Sequence, residues 1–114
     1  MKPVQVGILA GFDEGPFYYH VQKGRGTNWT IEEAAEHLGF SADLARELTA
    51  WDDEYQATLN LAVPQDSGFP TPEAKQAWIE RGKNLAARLK RECPNVASVD
   101  YQANGAILDG ECVF

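Results

Sequence analysis

The chain has little of what would fix its shape or chemistry covalently. Only two of its 114 residues are cysteine, Cys93 and Cys112, and their separation suits neither a zinc motif nor a disulfide framework. Histidine is as scarce, with His20 and His37 alone. The mostly apolar run Val4 to Ala10 is far short of the roughly 20 residues a membrane helix needs. Gly11-Phe12-Asp13-Glu14 then breaks it where a secretory leader would continue. A cytoplasmic protein with no membrane partner is the expectation, and the sequon Asn28-Trp29-Thr30 then has no use. No internal repeat, low-complexity stretch or run of like charge marks a disordered tail.

What is present suffices for one domain spanning residues 1–114. Hydrophobic residues make up 44% and aromatics 11%, enough to form a core without disulfide or metal support. The net charge is −7 and the sequence pI is near 4.7. Such a field repels nucleic acid and anionic membranes and attracts basic partners.

Val4, Val6, Ile8 and Ala10 alternate as in a strand with one buried face, and Phe17 to Gln22 is aromatic and β-favouring, so the two read as a hairpin with a long loop. Thr30 with Glu33 forms a capping box for a first helix, which Gly39 ends. Ser41 caps a second helix expected to run to about Asn60, with the stripe Leu44, Leu48, Trp51, Tyr55 and Leu59. Pro64 to Pro70 is a linker. Thr71-Pro72-Glu73 starts a third helix, striped by Ala74, Trp78, Gly82, Leu85 and Leu89 and stopped by Pro94. The segments Val96 to Tyr101 and Ala106 to Phe114 flank an Asn104-Gly105 hairpin signal. The order β-β-α-α-α-β-β gives an α+β class: a largely antiparallel sheet with helices packed on one face.

The charge is unevenly placed. Thr30 to Asn60 holds eight acids against Arg46 alone, whereas the third helix holds six bases against three acids. At 100° per residue Asp43, Glu47 and Glu54 share one flank of the second helix, and Arg81 and Arg88 share a flank of the third. These flanks either face each other in intramolecular ion pairs, or leave the acidic flank open for a basic surface on another protein, or are plain solvated charge. The partner-binding candidates are therefore Asp43, Glu47, Asp52, Asp53 and Glu54. Tyr18 and Tyr19 join them, because neighbouring strand positions face opposite ways and at least one tyrosine is free to anchor a partner.

No residue pattern points to catalysis, a cofactor or a metal. Asp52, Asp53 and Glu54 are consecutive on a helix and fan out too widely to converge on an ion. A Cys–His pair from Cys93 or Cys112 has no local support, and each cysteine reads as a small buried hydrophobe. Gly24-Arg25-Gly26 before a helix start has the form of a phosphate nest, but Glu32 and Glu33 in the next turn repel an anion.

Two resemblances follow from these residues. Thr30-Ile31-Glu32-Glu33-Ala34-Ala35-Glu36-His37-Leu38-Gly39-Phe40-Ser41 resembles the first helix and turn of excisionase-type helix-turn-helix domains, which implies a DNA-binding accessory. The helix that would enter the groove departs from that pattern by setting Asp43, Glu47, Asp52, Asp53 and Glu54 against phosphates. The stretch from Leu44 through Trp51, Ser67-Gly68-Phe69 and Trp78-Ile79-Glu80-Arg81-Gly82 to Leu89 is similar to small, uncharacterised bacterial α/β proteins. By size, charge and class these resemble immunity proteins, which mask the active site of a basic toxin domain. The leading expectation is thus a non-enzymatic immunity or inhibitor protein whose acidic helical face binds a basic protein.

Overall fold

Thr30 starts the first helix by the reciprocal bonds its sequence predicts. Its hydroxyl accepts from the Glu33 N–H at 3.1 Å, and Glu33 Oε1 accepts from the Thr30 N–H at 3.0 Å. The structure, a computed structural model, describes residues 3–12, 14–19, 28–59 and 68–114. Helix α1 covers Ile31–Leu38 and ends at Gly39 with φ 79° and ψ 39°, a left-handed conformation that glycine adopts without steric cost. Ser41 caps α2 (Ala42–Gln56), and Thr71 caps α3 (Pro72–Glu92) with Pro72 in its first turn. Helix α2 stops before the expected Asn60. The N–H groups of Thr58 and Leu59 bond three residues back, to Tyr55 and Gln56, and tighten the last turn.

The sheet is mixed. Strands β1 (Val4–Ile8), β2 (Phe17–Tyr18), β3 (Asn28–Trp29) and β4 (Val96–Tyr101) lie in the order β3-β2-β1-β4. The β1–β2 and β2–β3 pairs are antiparallel and β1–β4 is parallel, the helices forming the crossover a parallel pair requires. This is the α+β class expected, with differences in detail. Strand β3 falls where a loop was expected, and the Gly24-Arg25-Gly26 segment lies outside the described residues, as does the end of the strand expected to reach Gln22. Residues 106–114 curl through turns and meet β4 by a single bridge, Asp100 to Val113. Left-handed backbone at Ala103, Gly105 and Gly110 keeps that segment from running straight beside β4.

Two adjacent rows of residues cross the sheet. Trp29, Phe17, Ile8 and Tyr101 form one, and all four are buried. Asn28, Tyr18, Gly7 and Asp100 form the other, and none is buried. All three helices meet the first row or its neighbours: Trp29 packs edge-on against His37 of α1, while Tyr101 leans on Trp51 of α2 and donates to the Ile79 carbonyl of α3 at 2.8 Å. The register shift between Val4 and Gln5 sets one extra residue of β4 opposite β1, so Val96, Val99 and Tyr101 all turn inward.

Candidate functional site

The charged flanks of α2 and α3 meet each other. Arg88 reaches across to Asp43 and to Glu47, each at 2.8 Å, and bonds Glu92 on its own helix. Arg81 pairs with Glu54, and Arg46 also pairs with Asp43. The Arg88 side chain keeps 24% of its exposure, the least of any group in these pairs, and lines a groove of about 540 Å3 together with Glu47, Ala50, Glu54 and Leu85. The hydrogen bond from Arg88 holds the Asp43 carboxyl below the usual range, with Arg46 adding to it, and the Glu92 and Asp43 carboxylates push Arg88 further up. Three of the seven partner-binding candidates therefore sit in an intramolecular ion-pair seam.

The remaining α2 acids point elsewhere. Asp52 is half-buried on the opposite flank, where burial raises its carboxyl against the opposing hydrogen bond from Gln56, and Asp53 adds to the rise. Asp53 faces outward, and neither it nor Glu32 nor Glu36 of α1 has an ion pair among the described residues. The three consecutive carboxylates diverge, and no group of three metal-ligating side chains occurs among the described residues.

The two tyrosines part company. Tyr19 is 3% exposed, its hydroxyl shares a 2.9 Å hydrogen bond with His37 Nδ1, and its carbonyl accepts from Trp29 Nε1 at 2.9 Å. Burial, with the charge of Glu33, pushes its phenol up to about 12. Tyr19 is a core residue, so an exposed-anchor role is left to Tyr18. Tyr18 stands half-exposed on the helix-free row beside Gly7, near enough to Glu14 for a hydrogen bond that, after burial, raises its phenol. His20 lies outside the described residues. Cys93 is buried and its thiol is pushed up by burial, then by Glu92, the opposite of an activated thiolate.

One cluster escaped sequence reading. The Asp100 carboxylate, on the helix-free row, accepts from the Gly110 N–H at 3.2 Å and lies against Asp109. Burial raises the Asp100 carboxyl, and the neighbouring Asp109 carboxyl raises it further. Leu108, 66% exposed, and Val113, 53% exposed, lie on either side of Asp109 in the chain. The available signal was compositional: residues 93–114 carry three acids and no base.

Helix, left-handed glycine and capped helix do follow one another from Thr30, as in a helix-turn-helix, but the resemblance to excisionase-type domains finds no support. The flank of α2 is tied to α3 through Arg88, and the one cation of α2, Arg46, is paired with Asp43. No helix among the described residues is long and apolar enough to cross a membrane. A comparison with curated proteins gave no match. The family model described as Serratia CdiI immunity protein-like matches residues 6–104, from β1 through the turn after β4. The chain belongs to that immunity protein-like family.

Proposed function

We propose that this protein is a cytoplasmic immunity protein that binds a toxin domain with a basic surface and blocks it. Family membership carries this reading, and the net charge of −7 on a small domain supports it. The acids of α1 and α2 supply the attracting field. Glu32, Glu36 and Asp53 act at full strength, and Asp43, Glu47 and Glu54 act in part, because Arg88 and Arg81 offset them. Asp52 adds to the same field from its half-buried flank, and Tyr18 is the aromatic contact. The complex needs no cofactor, since inhibition here is occlusion.

The test is neutralisation. Tagged protein is used to isolate its partner from the native host, and the partner is then expressed alone and with this chain. Growth arrest by the partner alone, relieved on co-expression, is the expected result, with affinity falling as salt rises. A partner that leaves growth untouched, or arrest that persists on co-expression, overturns the reading.

A further inference from the structure

The acids of this molecule differ in their counter-charges, and Glu32, Glu36 and Asp53 on the helices form no ion pair among the described residues. On the helical side Asp43, Glu47 and Glu54 have arginine counter-charges at hand. On the sheet side Glu14, Asp100, Asp109 and Glu111 form no ion pair among the described residues. Lys75 and Lys83 of α3 border Ala106 and Ile107 on the helix side of that loop, and neither forms an ion pair among the described residues.

The helix-free face of the sheet is also where contact area is open. Gly7, having no side chain, leaves a flat place between the Tyr18 ring and Asp100 in the same cross-strand row. Tyr18 bounds that place on one side, and the Asp100–Asp109 pair bounds it on the other, with Val113 bridged beyond. Leu108 and Val113 are the exposed large hydrophobic residues of the described chain, and both lie in the segment that closes this side. A half-exposed aromatic, two exposed aliphatics and carboxylates without an ion pair among the described residues make a surface complementary to arginine- and lysine-bearing protein.

We infer that the helix-free face of the sheet, centred on Tyr18, Gly7, Asp100 and Asp109 with Val113 at its rim, is the surface that docks the basic face of the toxin. This rests on the immunity reading above. It separates two roles: the α1–α2 acids steer the encounter, and the sheet face makes the contact. A cation from the partner seated between Asp100 and Asp109 replaces a repulsion with an attraction, a gain the α2–α3 seam cannot offer because Arg88 already occupies it.

The experiment compares two double charge reversals of equal magnitude at exposed sites, Asp109→Lys with Glu111→Lys and Glu32→Lys with Glu36→Lys, on the toxin identified above. The first pair is expected to weaken binding on the order of 100-fold, mostly by faster dissociation, and to abolish growth rescue. The second is expected to slow association less than about tenfold and leave rescue intact. The same order holds for Tyr18→Ala against Ala50→Ser. Rescue by the first pair, or a larger loss from the second, overturns the sheet face while leaving the immunity reading in place. If the wild-type chain rescues nothing, that reading fails, and titration with a hexa-arginine peptide followed by amide NMR shifts tests the surface alone. Shifts led by residues 5–7, 18, 98–100 and 108–113 support it, and shifts led by α1 and α2 overturn it.

Discussion

Trp51 and Trp78 hold each other by one bond made twice. Each indole Nε1–H donates to the other residue's backbone carbonyl, at 3.2 and 2.8 Å, while the rings stack at 4.6 Å and 3°. Both side chains are buried, so each N–H needs a partner inside the protein, and the two helices supply it reciprocally. Trp51→Phe or Trp78→Phe removes one donor and leaves one buried carbonyl less satisfied. Each is expected to cost about 2 kcal/mol in urea unfolding. The double variant should cost clearly less than the sum, because the first loss already loosens the stack. Additive losses would mean that the two bonds are independent.

Gly82 explains itself against the same pair. Mid-helix, glycine costs up to about 1 kcal/mol relative to alanine. Yet a Cβ here would sit 2.1 Å from the Tyr101 hydroxyl and 2.4 Å from Trp51 Nε1. Gly82→Ala should therefore destabilise by about 1–3 kcal/mol, overpacking outweighing the helix gain. A variant as stable as the wild type in urea would refute the close approach.

The helices were legible because their ends are written in side chains a few residues apart: Thr30 with Glu33, Gly39, Ser41, and Thr71 with Pro72. The parallel β1–β4 pairing was not, since nothing in Val96 to Tyr101 distinguishes a crossover partner from a hairpin partner. The α2 and α3 flanks were found by helical periodicity, and their meeting through Arg88 was one of three readings the spacing allowed. The Asp100–Asp109 pair depends on left-handed turns at Ala103, Gly105 and Gly110, and of these only the Asn104-Gly105 step announces a turn by its residues.

Acid stability should depend on Asp43 and Asp52 with opposite signs. Arg88 depresses the native Asp43 carboxyl, so its contribution is full above about pH 4, the unfolded value, and is lost as pH falls through the lower native one. Burial raises Asp52, so its contribution is full below about pH 4 and is lost as pH rises through the native value. Asp52→Asn is expected to raise the unfolding free energy at pH 7 by less than about 1 kcal/mol after solvent screening, with a matching rise in Tm, and to have no such effect at pH 3. A Tm unchanged at pH 7 would remove the burial cost assigned to Asp52.

At the alkaline end the phenols decide. Tyr101 is buried and donates to the Ile79 carbonyl, and burial pushes its ionisation well above the ordinary value of about 10. Its contribution is full below about pH 10 and is lost above it, as the unfolded chain ionises and the native one cannot. Absorbance at 295 nm should rise for Tyr101 only with unfolding. Tyr101→Phe should remove that coupled step and cost about 1 kcal/mol for the lost hydrogen bond. A four-tyrosine titration completed before the circular dichroism changes would contradict this.

Arg88 also bears on association. It withholds Asp43 and Glu47 from any approaching cation, so Arg88→Gln frees Glu47, leaves Asp43 with Arg46 alone, and takes the net charge from −7 to −8 by removing one positive charge. If these acids only steer, the rate of association with the toxin should rise about two- to threefold at low salt, and the gain should vanish at high salt. Dissociation should stay unchanged, because the contact lies on the other side of the sheet. Slower dissociation in Arg88→Gln would instead bring Asp43 and Glu47 into the interface itself, since a freed carboxylate prolongs a complex only by touching the partner.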